Sequence, residues 1–315
     1  MAGSPPLAEG LADYIAAVRL APGGQRPSPE QARLAADLNA DAIAYPRPEG
    51  MTVTTSFVVR EAGETAVRIY RPAGDGPQPG IVYFHGGGFT TGSLDSYEPV
   101  AMALAEASGA TVISVHYARL PQSTPQAMLE ECYDVLCWTA EIASILKIDT
   151  QQLAVAGDSA GAFIAALLAI RARDSEGPNL ACQILCYGLF DLDEMRDAYQ
   201  KSADPILTLP IIKSMIATYR ECDARSSTPV AAPLHSDNLV GLPPALLVGA
   251  AYDALLDEGQ DYTRRLREAG VEAQMRIAER MPHGFFRAVR FSEAARAEMR
   301  ELGKAIRTYF KHEQG

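Results

Sequence analysis

The sequence predicts an α/β architecture: an eight-stranded, mostly parallel sheet flanked by helices, with a helical cap. Three observations predict it. Six short, nearly continuous apolar runs are separated for the most part by helix-like segments, the pattern of parallel strands covered on both faces. Two alternating runs ahead of them supply a further pair of strands. The chain has 315 residues, 48% hydrophobic and 21% charged, enough for one large domain with a substantial core.

Two helices open the chain. Leu7, Leu11, Ile15 and Val18 recur at helical spacing across Leu7 to Leu20. In Ser28-Pro29-Glu30-Gln31, Ser28 reads as the N-cap, Pro29 as the first helical residue and Gln31 as the close of a capping box. That helix runs toward Tyr45, where Pro46 and Pro48 stop it. From Met51 the period becomes two. Val53 to Arg60 and Ala66 to Arg71 flank a turn at Ala62-Gly63, as in a hairpin.

The six apolar runs follow: Ile81–Phe84, Thr111–Val115, Leu153–Ala156, Ala181–Tyr187, Ala245–Val248 and Ala273–Ala278. Between them, Pro125 opens a helix carrying Leu129, Cys132, Leu136 and Ile142, and Ala160 to Arg173 directly follows the third run. Asp257 to Ala269 forms another helix, with Gly270 at its C-terminal stop. A last helix spans Ser292 to Phe310. The stretch from Asp191 to Asp237 carries helical and irregular segments without a clear strand, and reads as an insertion. Neither repeats nor a linker interrupts the pattern, so residues 1–315 are expected to form a single domain, with cap segments 1–50 and 191–237.

A net charge of −11 argues against nucleic-acid binding and adhesion to anionic membranes, because both need a basic face. It also mildly disfavours anionic substrates, although local potential outweighs the total. The five cysteines (Cys132, Cys137, Cys182, Cys186 and Cys222) are odd in number and lack CxxC or His-Cys spacing. Reduced thiols and no metal site are expected. The opening MAGSPPLAEGLADY lacks a basic segment ahead of an apolar one, and no run of about 18 apolar residues occurs. A cytoplasmic protein without a membrane span is expected.

Chemistry enters at Gly157-Asp158-Ser159-Ala160-Gly161. A GxSxG pentapeptide between an apolar strand and an apolar helix suits a nucleophilic serine on a strained turn, where flanking glycines allow close approach. The helix start beneath it favours developing negative charge. The pentapeptide alone also fits an ordinary glycine-flanked turn; its strand-before, helix-after setting favours Ser159 as nucleophile. His85-Gly86-Gly87-Gly88 follows the strand Ile81–Phe84. Consecutive glycines leave backbone N–H groups unobstructed for an oxyanion. A phosphate cradle would need a following Lys-Ser/Thr pair, which is absent.

A base and an acid follow the serine in this chain order. His283, in Met281-Pro282-His283-Gly284-Phe285, lies just beyond the last apolar strand. His85 and His116 precede Ser159, His235 precedes the acid candidates, and His312 sits at the chain end. Two carboxylates compete for the acid in Tyr252-Asp253-Ala254-Leu255-Leu256-Asp257-Glu258. Asp253 occupies the loop after the strand Ala245–Val248, whereas Asp257-x-x-Gln260 looks like a capping box on the next helix.

HGGG, GDSAG, a YDxLxDEG segment and PHGF, in that order, resemble the bacterial branch of the hormone-sensitive lipase family, with the α/β-hydrolase fold. The pattern covers nearly the whole chain, including Gly241-Leu242-Pro243-Pro244. The resemblance implies hydrolysis of carboxylic esters of short to medium acyl chain, without a cofactor, under a helical cap. By position it implies a triad of Ser159, Asp253 and His283 and an oxyanion hole of Gly87, Gly88 and Ala160. The expected partner is a small-molecule ester; a homodimer is compatible with the sequence, which does not specify assembly.

Two segments depart from the family pattern. Its Asp-Pro-Leu-Arg-Asp is here Asp253-Ala254-Leu255-Leu256-Asp257, and its Asp-Tyr-Arg-Leu-Ala-Pro-Glu is here His116-Tyr117-Ala118-Arg119-Leu120-Pro121-Gln122. These changes bear on substrate preference rather than on the reaction. The same machinery also serves acyltransferases and amidases, because the acceptor decides the outcome. A non-catalytic binding protein on this fold, like the plant hormone receptors that resemble the family, is disfavoured by the complete Ser, Asp, His set.

Overall fold

The computed structural model describes residues 6–18 and 28–310. Eight strands form one sheet: β1 (Thr52–Arg60), β2 (Gly63–Arg71), β3 (Gln78–Phe84), β4 (Thr111–Val115), β5 (Ile148–Asp158), β6 (Cys182–Cys186), β7 (Ala245–Ala250) and β8 (Ala273–Ala278). Their order is β1-β2-β4-β3-β5-β6-β7-β8. β1 and β2 form an antiparallel hairpin, β2 runs antiparallel to β4, and the strands from β4 to β8 are parallel. Every residue of β4, β6 and β7 is buried, which explains their nearly continuous apolar character. The edge strands β1 and β8 mix exposed and buried positions.

Eleven helices complete the described residues: α1 (Leu11–Val18), α2 (Pro29–Leu38), α3 (Ala40–Ile43), α4 (Glu98–Ser108), α5 (Pro125–Glu141), α6 (Ala143–Leu146), α7 (Ala160–Asp174), α8 (Asp197–Lys201), α9 (Leu209–Asp223), α10 (Leu256–Glu268) and α11 (Glu293–Tyr309). One sheet face packs α5, α7, α9 and α10 into a core that includes Phe163, Leu136, Ile216 and Leu266. The other packs α1, α4 and α11, with Tyr14, Leu104 and Ile306. Burial of a Leu or Phe side chain contributes on the order of 1.5–3 kcal/mol, so these two layers dominate the fold's stability.

All eight sequence-predicted strands are present; β2 and β3 start three residues earlier than expected, and β5 starts five residues earlier and ends two later. The N-terminal helix differs more. α1 begins at Leu11 because Gly10 takes φ +81°, a left-handed turn that a Cβ would drive into the Phe291 carbonyl. Its expected end at Leu20 lies outside the described residues. The capping box on α2 is present in both directions, Gln31 N to Ser28 Oγ at 3.2 Å and Ser28 N to Gln31 Oε1 at 2.9 Å. The expected run toward Tyr45 instead breaks at Asn39, which separates α2 from α3.

No residue of α2 is buried; polar bonds hold it. Arg33 donates to the carbonyls of Thr90 and Leu120 at 2.6 and 2.7 Å and to Gln122 Oε1 at 2.9 Å. The insertion 191–237 contains α8, α9 and a short 3₁₀ turn, and no strand. From α9, Met215 approaches Gly88, and Tyr219 packs its ring 5.0 Å from Phe89.

Candidate active site

The nucleophile candidate sits where β5 meets α7. Ser159 has φ 54° and ψ −122°, a conformation that costs an L-residue on the order of 1–3 kcal/mol. The strain is imposed by packing on both sides. A Cβ on Gly157 would collide with the Gly161 carbonyl, and one on Gly161 would collide with the Phe84 carbonyl. Ser159 N donates to Cys186 O at 2.9 Å, and Leu189 N donates to Ser159 O at 3.2 Å. The turn is thereby locked to the end of β6.

Three widely separated residues meet at Ser159. His283 Nε2 lies 2.8 Å from Ser159 Oγ, and His283 Nδ1 lies 2.7 Å from Asp253 Oδ2. A carboxylate can only accept, so Nδ1 carries the proton and Nε2 is left as acceptor for the serine hydroxyl. Asp253 Oδ1 accepts Leu255 N at 2.9 Å, which fixes the carboxylate plane. Ser159, Asp253 and His283 are only 6, 7 and 7% exposed. Burial pulls the His283 pKa down, but the charge and hydrogen bond of Asp253 outweigh it and hold the imidazole above its usual 6.5.

The second carboxylate, Asp257, does not reach the histidine, and it does not cap α10 either. That helix starts at Leu256 with Leu255 at the cap and no side-chain cap bond. The expected Asp257-x-x-Gln260 box fails because the helix starts one residue earlier and already includes Asp257, whose carboxylate meets Arg196 at 2.8 Å. Glu258, in the first turn of α10, points inward instead. It is fully buried and accepts the N–H groups of Phe190 and Asp191 at 2.7 and 2.5 Å and the Tyr199 hydroxyl at 2.9 Å. It ties the start of the insertion to α10.

The glycine loop lies against the serine turn, with Gly86 packed on Asp158. Gly87 and Gly88 both have positive φ, 112° and 59°, and a Cβ at Gly87 would lie 2.5 Å from Thr91 O. Thr91 N donates back to Gly87 O at 2.9 Å, closing the turn. The N–H groups of Gly87, Gly88 and Ala160 donate to no protein acceptor among the described residues. His85 is structural: fully buried, it stacks on Tyr117 at 4.4 Å and Tyr97 at 5.2 Å, with Nδ1 2.7 Å from Gly86 O. Burial lowers its pKa to about 3, so the ring is neutral and Nδ1 donates.

Of the other histidines, His116 pairs with Arg119 at 3.0 Å and His235 with Asp191 at 2.8 Å. His312 lies outside the described residues. The His116–Arg119 contact stands where the family pattern has an aspartate. Burial lowers His116 to about 4, leaving a neutral imidazole to accept from the guanidinium.

Two supporting carboxylates were not singled out from sequence. Asp158 Oδ1 accepts the Tyr83 hydroxyl at 2.6 Å and Gly86 N at 2.9 Å, joining the serine turn to the glycine loop. Burial pushes its pKa up to about 6. Its signal was available, an acid in GDSAG at the end of an apolar strand. Asp204, in the insertion, accepts His283 N at 2.6 Å through Oδ2, and Ile206 N and Leu207 N through Oδ1. Nothing in the local sequence of Asp204 announces a partner 79 residues away.

Residues 81–287 match the family model described as alpha/beta hydrolase fold. The chain is 37% identical over 229 residues to esterase LipI of Mycobacterium tuberculosis, covering 71% of this chain and 72% of that one. It is 33% identical over 239 residues to an ethyl acetate hydrolase of Pseudomonas putida, covering 74% of each. The crystal structure of a thermostable esterase from Pseudomonas putida ECU1011 superposes with a TM-score of 0.88 at 28% identity, covering 98% of this chain and 99% of that one. The chain belongs to the α/β-hydrolase fold family, in its hormone-sensitive lipase-like branch of esterases.

Proposed function

We propose that the chain hydrolyses carboxylic esters through Ser159, His283 and Asp253. The observation that carries this reading is the unbroken relay from Asp253 Oδ2 through the imidazole to Ser159 Oγ, with contacts of 2.7 and 2.8 Å. Ser159 Oγ attacks the ester carbonyl while His283 Nε2 takes its proton. Asp253 holds the imidazole in the required tautomer and stabilises the imidazolium. The N–H groups of Gly87, Gly88 and Ala160 receive the oxyanion, already oriented and with no protein acceptor to abandon. His283 then protonates the leaving alcohol, and water, deprotonated by the same nitrogen, cleaves the acyl-enzyme.

Residues 1–50 and 191–237 act in this reading as a cap on a single domain. Its support is the approach of both to the glycine loop: Arg33 bonds Thr90 O, and Met215 faces Gly88. A roof this close to the oxyanion donors favours short to medium acyl chains. The substrate is a small-molecule ester, and the setting is cytoplasmic, which suits five free thiols. Among the described residues no helix is long and apolar enough to cross a membrane.

The test is a panel of aryl esters of rising acyl length, with Ser159→Ala alongside. Losing the nucleophile of a cooperative triad lowers kcat by on the order of 10⁶, and kcat/KM falls from butyrate to dodecanoate. Retention of more than about a tenth of wild-type turnover by the purified variant contradicts the nucleophile assignment. A preference for long-chain triglyceride emulsions contradicts the cap.

A further inference from the structure

Arg287 lies four residues beyond His283, in the 3₁₀ turn Phe285–Ala288, and hydrolysis as described above does not use it. Its guanidinium carbon sits 4.8 Å from the centroid of the Tyr97 ring. The residue is partly exposed, while its Nε is sealed from solvent and has no acceptor. Around it stand the hydroxyls of Tyr14, Tyr97 and Tyr187 and, beyond contact, the carboxylate of Asp158. Asp158 is already bonded by Tyr83 and Gly86. Among the described residues no carboxylate forms an ion pair with Arg287.

A cation in such a place carries a desolvation cost that only a counter-charge offsets, and an apolar side chain would pack there more favourably. Its neighbours in the turn, Phe285 and Phe286, are that kind of residue. Held only by the Tyr97 ring and neighbouring hydroxyls, with no carboxylate partner among the described residues, a cation four residues beyond the histidine suits a binding role. Tyr187 connects the two. It is buried, with φ +34°, and its ring edge meets the His283 ring at 5.3 Å. Its hydroxyl is sealed from solvent, has no partner among the described residues, and acts on Arg287 through space. Tyr187 therefore packs on the base and belongs to the group of hydroxyls around the cation.

The geometry points to a carboxylate subsite: Arg287, with the hydroxyls of Tyr14 and Tyr187, binds a carboxylate carried by the ester substrate. This rests on the reading of Ser159 and His283 as the reacting pair. A guanidinium meets a carboxylate through two parallel N–H bonds, and the two tyrosines add donors of their own. The local positive potential overrides the chain's net charge of −11. The carboxylate belongs either to the acyl half, as in a half-ester of a dicarboxylic acid, or to the alcohol half, as in an acylated hydroxy acid.

The experiment compares each carboxylate with its amide in wild type, Arg287→Met and Arg287→Lys. Ethyl hydrogen succinate against ethyl succinamate probes the acyl half; O-acetyllactate against O-acetyllactamide probes the alcohol half. Wild type prefers the carboxylate in one pair by about 10- to 100-fold in kcat/KM, mainly through KM, on the scale of a charge-assisted bond. The pair that responds identifies the half. Arg287→Met collapses that preference, and Arg287→Lys restores part of it. If wild type hydrolyses all four esters without preferring either carboxylate, the subsite is wrong and the esterase reading stands. A folded Arg287→Met that keeps the preference also overturns it. If no ester is hydrolysed, the reading of Ser159 and His283 fails and takes the subsite with it. The wild-type comparison decides even if Arg287→Met does not fold.

Discussion

Replacing Asp253 by asparagine separates orientation from structure. Asp253 uses both oxygens: Oδ2 accepts His283 Nδ1–H at 2.7 Å, and Oδ1 accepts Leu255 N at 2.9 Å. Asparagine has one acceptor for two donors. If its oxygen stays with Leu255 N, its NH₂ faces Nδ1, and the imidazole must move its proton to Nε2. Nε2 then points a donor at Ser159 Oγ and cannot take the serine proton. A triad with the wrong tautomer loses about 10⁴ in kcat, equivalent to about 5.4 kcal/mol of transition-state stabilisation. The opposite flip leaves two donors facing each other at Leu255 and costs stability instead. Asp257→Asn supplies the control, because the Asp257 side chain is 56% exposed and its partner Arg196 keeps Asp191 at 2.7 Å and Asp261 at 2.5 Å. The loss there is about 1 kcal/mol of stability or less, with kcat within a few fold. Steady-state hydrolysis of a short-chain aryl ester, with melting temperatures measured beside it, compares the pair. A dead Asp257→Asn and a near-wild-type Asp253→Asn refute the reasoning.

Two further expectations concern pH. His283 must be neutral to accept the serine proton, and its pKa is raised, so kcat/KM declines on the acid side with an apparent pKa at or above about 6.5. Activity that keeps rising below about pH 5 contradicts a histidine base. Burial pushes Glu258 from 4.5 up to about 8. A carboxyl whose folded pKa exceeds its unfolded one makes the native state bind the extra proton. Its stability contribution is therefore full below about 4.5 and declines as pH rises toward about 8. The melting temperature of wild type relative to Glu258→Gln should fall across that window, and a constant difference disproves the proton uptake.

Much of the fold was legible because its determinants are local. Period-two patterning marked β1 and β2, and the unbroken apolar runs marked strands buried on both faces. The runs understated β5, whose first turns carry Asp149, Gln151 and Gln152 outside the main core. Capping chemistry placed the start of α2 correctly because both bonds of its box join residues three apart. The same reasoning failed at Asp257. There the helix begins at Leu256, one residue too early for Asp257 to cap it, and the carboxylate meets Arg196 of the insertion, 61 residues away.

By itself, the sequence determined the α/β alternation, the strained turn that only glycines at 157 and 161 allow, and the order of serine, acid and histidine. These follow from backbone sterics and residue chemistry within a few positions. Only the tertiary structure decided which groups face one another. It set Asp158 against the glycine loop, Asp204 beneath the histidine backbone, Asp257 against Arg196, and Arg287 among tyrosines with no carboxylate partner among the described residues. Those pairings join segments tens to hundreds of residues apart. Their energies come from burial and close approach, which local sequence does not encode.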